Sequence, residues 1–154
     1  APEASFGVRG RFAHALGIEQ PKVAILSAVE EVKPQLPSTI DAAALCKMAD
    51  RGQITGAILD GPLAFDNAIS QQSADIKHIE SPVTGDVDIL LVPDLEAGNM
   101  LGKQLIYLGK AKAAGLVMGS KVPIVLTSRS DDELDRLYSI ALGAFVAQQS
   151  KQGR

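Results

Sequence analysis

Tryptophan is absent, there are only two tyrosines and four phenylalanines, and aromatics make up 4% of the 154 residues. The core must therefore be built from Ala, Val, Ile and Leu. Such aliphatic runs suit parallel strands covered by helices, which are buried on both faces. An excess of positive charge is also missing: 15 basic residues against 18 acidic ones leave a net charge of −3 and a pI near 5.3. That balance gives no electrostatic footprint for nucleic acid. The few aromatics are not interleaved with basic residues, as a single-strand binder needs. Cys46 is the lone cysteine, so an internal disulfide is excluded and a reducing cytosol is the natural compartment. No apolar run approaches the ~20 residues that span a bilayer, and the amino terminus has no basic-then-apolar signal. The expectation is a soluble, cytoplasmic protein with no membrane or nucleic-acid partner.

Metal and dinucleotide signatures are lacking too. His14 and His78 stand far apart, without the Cys, His or carboxylate spacing of a metal site, and read as satisfied or solvent-facing. GxGxxG follows none of the expected strands. Cys46 lies in Ala42-Ala43-Ala44-Leu45-Cys46, a helical pattern, and reads as a small core residue rather than a nucleophile. Met48, Met100 and Met118 read as core in the same way.

What is present is 46% hydrophobic residues at a mean hydropathy of +0.13, enough for one ordinary domain with a sizeable core. Strands and helices alternate. The spacing predicts strands at Val23–Leu26, Thr55–Leu59 and Ile89–Val92, with two more apolar runs at Leu116–Met118 and Pro123–Leu126. Helices are predicted from Ser38 or Thr39 to about Arg51, from Ala64 to Gln71, from about Gly98 to Ala114, and from Asp131 to about Gln149. Along the last of these, Leu134, Leu137, Ile140, Ala141 and Ala144 form one apolar face. Ser150 to Arg154 is a polar tail. Repeated βα units with short connections predict an α/β fold: a mostly parallel sheet with helices on both faces.

Three strand-end turns draw the eye, because open α/β sheets bind ligands at the carboxyl ends of their strands. The first is Asp60-Gly61-Pro62, expected to end a strand, followed by Leu63-Ala64-Phe65-Asp66. The second is Pro93-Asp94-Leu95-Glu96-Ala97-Gly98-Asn99. Its continuation, Gly98 to Lys103, has one residue too few between glycines for a phosphate-binding loop, and Gln104 stands where a metal-binding hydroxyl belongs. Small residues at a helix start leave N–H groups for an anion, or Gly98 simply turns the chain. The third is Thr127-Ser128-Arg129-Ser130-Asp131, which joins a hydroxyl, a guanidinium and a carboxylate at a strand-to-helix junction. Arg129 offers a planar fork of donors suited to phosphate. Ser130 or Asp131 equally suits a plain helix cap, with Asp132 and Glu133 complementing the dipole.

These turns, with the Pro-Ser-Thr-Ile-Asp-Ala-Ala-Ala core of Pro34–Asp50 and the stretch Pro123–Asp131, resemble the phosphate acetyl/butyryltransferase family, its butyryltransferase branch in particular. The resemblance runs from Gly17 to Ala147; the first dozen residues, including Arg9 and Arg11, match poorly. It implies reversible acyl transfer between coenzyme A and inorganic phosphate, with coenzyme A as substrate and no metal or tightly bound cofactor. It further implies an isocitrate/isopropylmalate dehydrogenase-like fold of two α/β domains around a cleft, paired as a homodimer. By similarity, residues 1–126 are the second domain, and residues 127–154 return to pack on an amino-terminal domain absent from this chain. Ser128 and Arg129 match the family's Ser-Arg pair. The acid base of the acetyltransferase branch falls at Asp135, seven residues after Ser128, with Asp131 as its competitor. Asn99 and Lys103 match positions that face coenzyme A. A non-catalytic coenzyme A-binding or dimerisation module is the alternative, and a dehydrogenase relative a more distant one.

Overall fold

Lys22–Leu26 forms β1, and its four residues from Val23 to Leu26 are all buried. Only a central strand buries successive side chains on both faces, and this one has a parallel neighbour on each edge. Burying Val23, Ile25 and Leu26 contributes about 1.5–3 kcal/mol apiece. The computed structural model describes residues 12–120 and 122–152, with side chains to residue 149. Arg9 and Arg11 thus lie outside the described residues. The chain divides into two compact units: Ile18–Gly98, and a second one that includes residues 12–17 and 99–152.

In the first unit the sheet order is β2-β1-β3, all parallel, with β2 at Ile58–Leu63 and β3 at Ile89–Leu91. Helix α1 (Pro37–Asp50) packs on β2 and β1. It starts earlier than the Ser38 or Thr39 cap that the sequence suggests. Leu36 is the cap residue and Pro37 takes the first helical position, where its missing N–H costs nothing. Thr39 instead turns inward, accepting from the Lys33 amide at 2.9 Å and donating to a backbone carbonyl, with Leu36 O at 2.7 Å. The helix stops at Gly52, whose φ of 71° returns amides to Ala49 and Met48 through Gly52 and Gln53.

The expected strand at 55–59 lies further along. Asp60-Gly61-Pro62 does not turn the chain; it continues β2, with an extra residue opposite β1 between Ala24 and Leu26. A proline is tolerated there because β2 is an edge strand and the ladder is already interrupted. Gly61 serves close approach: a Cβ at this position would lie 2.7 Å from the Ile25 carbonyl oxygen and 2.8 Å from Ile25 Cβ. The single helix expected over 64–71 is two, α2 (Phe65–Ile69) and α3 (Gln71–Ile76). Ser70 separates them, extended at φ −130°, and its side chain caps α3 by accepting from Ser73 N. At the other edge, the Asp88 carboxylate accepts from Lys22 N at 2.8 Å while Asp88 N donates to Lys22 O, so β3 enters in register with β1.

Helix α4 (Leu95–Tyr107) spans the boundary between the units and is shorter than predicted at its far end. In the second unit β4 (Leu116–Val117) and β5 (Ile124–Val125) pair antiparallel, as a separate sheet. The sequence reading made every strand part of one mostly parallel sheet. Only six residues separate these runs, too few for a parallel crossover. Helix α5 (Glu133–Gln152) covers the pair. Its buried stripe is Ser139, Gly143 and Val146, whereas Leu134, Leu137 and Ile140 are 48%, 56% and 58% exposed. A Cβ on Gly143 would sit 2.8 Å from Val125 Cγ2, so helix and strand meet at a bare backbone. Among the described residues, no helix is long and apolar enough to cross a membrane.

Cys46 belongs to the α1–β2 contact: its thiol donates to Gly61 O at 3.3 Å. Burial first, then the carboxylates of Asp60 and Asp50, push its pKa up to about 11. It is a protonated core thiol at neutral pH. Gly61→Ala should destabilise the protein by about 1–3 kcal/mol in urea unfolding, because the added methyl meets rigid backbone. Gly143→Leu should lower the thermal midpoint by prising α5 off β5. Cys46 should react with a thiol reagent at pH 8 on the order of a hundredfold more slowly than an unhindered cysteine, and normally once unfolded.

Candidate active site

The loop 127–131 follows β5 and leads into α5, and its shape comes from its own polar groups. Asp131 is half-buried and its Oδ2 accepts from the Ser128 amide at 2.6 Å, while Asp131 N returns to Ser128 O at 3.2 Å. The two bonds close a tight turn around Arg129 and Ser130. Asp131 is therefore not the helix cap. That task falls to Asp132, whose Oδ1 accepts from Asp135 N at 2.8 Å.

Ser128 is half-buried and its hydroxyl is surrounded by donors. Ser128 Oγ accepts from Lys103 Nζ at 3.3 Å and from Ser130 N at 3.4 Å, and Ser130 Oγ lies 3.0 Å away, where either hydroxyl can donate. The Lys103 ammonium also lies 5.7 Å from the centre of the Tyr107 ring, one turn along α4. The structure thus brings together Lys103, Ser128 and Asp131. Arg129 is exposed and forms no ion pair or side-chain hydrogen bond among the described residues, leaving its guanidinium available to an anion.

Asp135 sits on the first turn of α5, half-buried, with Oδ1 accepting from Ala113 N at 3.4 Å. Four residues on, Ser139 Oγ donates to Asp135 O at 2.8 Å and accepts from Gly115 N at 3.0 Å. Asp135 is tethered to the segment entering β4, and no hydrogen bond links it to Ser128 or Asp131. Asn99 is exposed on α4, one turn before Lys103.

The second strand-end turn departs from the sequence reading. Asp94, not Gly98, opens the helix: its Oδ1 accepts from Ala97 N at 2.7 Å and its carbonyl from Gly98 N at 3.1 Å. The Gly98 amide is spent inside the helix and is not offered to an anion. Gly98 is small because a Cβ there would stand 2.9 Å from Val92 Cγ2. Only the first two turns share the carboxyl edge of the parallel sheet, since the third leaves the separate antiparallel pair.

At that parallel edge lies a cluster which composition did not single out. Asp66 pairs with Lys77 at 3.1 Å, and buried Asn67 donates to Glu30 at 3.1 Å, with Lys77 also 3.5 Å from Glu30. The hydrogen bond from Lys77 holds the Asp66 carboxyl below its usual range, and Lys77 is raised in turn by Asp66. Glu30 is lowered mainly by its own backbone amide. The charged groups pair with one another, while the buried Oδ1 of Asn67 has no hydrogen-bond partner among the described residues. Tyr107 was likewise overlooked, although its spacing of four from Lys103 places the two on one helix face. Among the described residues, no group of three or more His, Cys, Asp or Glu is placed to hold a metal ion.

Comparison with known proteins bears on this loop directly, because the matched region includes all of it. A family profile described as phosphate acetyl/butaryl transferase matches residues 9–144. The phosphate acetyltransferase of Rhizobium meliloti is 65% identical over 133 residues, 86% of this chain but 42% of that protein. The phosphate butyryltransferase of Clostridium acetobutylicum is 50% identical over 89% of this chain and 46% of its own length. Among solved structures, a branched-chain phosphotransacylase from Enterococcus faecalis matches with a TM-score of 0.80 at 38% identity, covering 90% of this chain and 49% of that one. The chain spans less than half the length of these relatives. With the profile covering residues 9–144 of 154, the chain belongs to the phosphate acetyl/butyryltransferase family.

Proposed function

We propose that this chain is part of an enzyme that moves an acetyl or butyryl group between coenzyme A and inorganic phosphate. Family membership across residues 9–144 carries the reading. The loop at 127–131 supplies its chemistry. Coenzyme A enters as a thiol and reacts as a thiolate, so a carboxylate must take its proton. The thiolate sulfur then forms a bond to the acyl phosphate carbonyl carbon, and the carbon–oxygen bond to phosphate breaks. Phosphate departs with the electron pair. Ser128 donates to the charge that develops on the carbonyl oxygen, and Arg129 holds the phosphate. Asp135 is the preferred base, since Asp131 is held by the Ser128 amide at 2.6 Å whereas Asp135 meets the Ala113 amide only at 3.4 Å; Asp131 is the competitor. Asn99 and Lys103, one turn apart on α4, border coenzyme A. Neither a metal nor a tightly held cofactor enters this scheme.

We further infer that the complete protein is cytoplasmic and dimeric, with two α/β domains around a cleft in the manner of isocitrate and isopropylmalate dehydrogenases. Residues 1–126 would belong to the second domain, and residues 127–154 would pack on the first. Two observations support this division: the chain covers less than half of the relatives' length, and Leu126, Leu134, Leu137 and Ile140 present an exposed apolar surface. The second reading is a coenzyme A-binding or dimerisation module without turnover. It is favoured by the same coverage, because a cleft enzyme needs both walls to align two substrates.

The deciding experiment is phosphate-dependent release of free thiol from acetyl- and butyryl-coenzyme A by the longest product of the gene. Turnover is expected, and the ratio of the two rates assigns the acyl preference. Its absence from folded protein, with coenzyme A still bound in calorimetry, favours the module. In an active protein, Arg129→Ala should cut kcat/KM by roughly a hundredfold or more without lowering the thermal midpoint. Unchanged turnover would remove Arg129 from the site.

A further inference from the structure

Ser128 is held at two points, and the second has a chemical consequence. Its backbone is fixed by Asp131, which accepts from the Ser128 amide at 2.6 Å. Its hydroxyl receives N–H groups from Lys103 at 3.3 Å and from Ser130 at 3.4 Å. A serine oxygen has two acceptor lone pairs and one proton to give. With both lone pairs addressed by N–H donors, the hydroxyl is left with only its O–H. That proton can be given to Ser130 Oγ, 3.0 Å away in a contact where either hydroxyl can donate, or to an incoming oxygen that replaces it.

We propose that Lys103 is a positioning residue whose working partner is the Ser128 hydroxyl rather than coenzyme A: it makes Ser128 an obligate hydrogen-bond donor to the reacting group. The proposal rests on the acyl-transfer reading and replaces the coenzyme A contact given to Lys103 there with this task, leaving Asn99 to border coenzyme A. A cation donating to a hydroxyl oxygen polarises the O–H bond and strengthens what that bond gives onward. The same contact disfavours Ser128 as a nucleophile or proton acceptor, since its lone pairs are occupied. Tyr107 supports the arrangement, because its ring, 5.7 Å from the ammonium, steadies the cation beside Ser128. Lys103 itself is half-buried, on the same helix face as Tyr107. Both N–H contacts are longer than a typical N–H···O bond. Catalytic hydrogen bonds without substrate are commonly long and tighten when the reacting group arrives.

The test is a double-mutant cycle in the longest product of the gene, with Lys103→Met, Ser128→Ala and the pair, each checked for folding by circular dichroism. Lys103→Met should lower kcat by about tenfold to a hundredfold, with KM for coenzyme A within about twofold of its original value. In the Ser128→Ala background the same substitution should cost nothing further. Lys103→Arg, which keeps the charge and the donors, should recover part of the loss. A raised KM for coenzyme A with kcat retained, and an equal cost in the Ser128→Ala background, would overturn the proposal in favour of direct coenzyme A contact. An independent readout needs no turnover: the side-chain nitrogen resonance of Lys103 should move on Ser128→Ala. If the unsubstituted protein lacks transferase activity but the resonance moves, the contact stands and the transferase reading fails. If the resonance ignores the substitution, the contact itself is refuted.

Discussion

The contact between Gly61 and Ile25 sets the spacing of the parallel sheet, and much of the first unit follows from it. β1 is buried along Val23–Leu26 only because neighbours close both its edges. β2 approaches so tightly that a single methyl at position 61 would overlap the Ile25 carbonyl. The Gly61 carbonyl then accepts from Cys46, which ties α1 to the same point. On the opposite edge, Asp88 exchanges hydrogen bonds with the Lys22 backbone and fixes where β3 begins. One close approach and one carboxylate thereby align all three strands, so that Asp66 and Asp94 follow strands ending at the same edge of the sheet.

The second unit works differently. Its two short strands pair antiparallel and meet α5 through Ser139 and Gly143, a polar residue and a bare backbone. Ser139 is 1% exposed yet fully used, accepting from Gly115 and donating to Asp135. The loop before α5 is shaped by hydrogen bonds from Ser128, Asp131 and Asp132 rather than by apolar burial. Such a loop is held in geometry while its outer groups stay available. Arg129 is exposed and Ser128 has a proton to give. That combination suits stabilisation of developing negative charge, which depends on donors fixed in advance.

The shape of the candidate loop was legible because it is local. Ser128, Arg129 and Asp131 lie within four residues of one another, and turn chemistry depends on near neighbours. The strands at 23–26 and 89–91 were legible for the same reason, being short aliphatic runs between polar breaks. The misreadings share a cause. Asp60-Gly61-Pro62 carries an ordinary turn signal, yet it extends β2, because the bulge and edge position supplied by β1 tolerate it. Gly98 looked like a helix start, but Asp94 opens the helix and Gly98 makes room for Val92. In each case a pattern that is ambiguous along the chain was resolved by a partner outside the pattern.

Composition and motif spacing by themselves determined the α/β class, the aliphatic core and the loop that holds its polar groups, while the family came from the resemblance of whole motifs. These depend on residue type and on neighbours a few positions away. The tertiary structure alone decided which strands pair in which direction, which stripe of α5 is buried, and that Lys103 meets Ser128 across 25 residues of sequence. Pairing and burial are settled by loop closure and by which surfaces exclude water together, and neither is written in local periodicity. The sequence supplied a lysine and a serine; only folding made one the donor to the other.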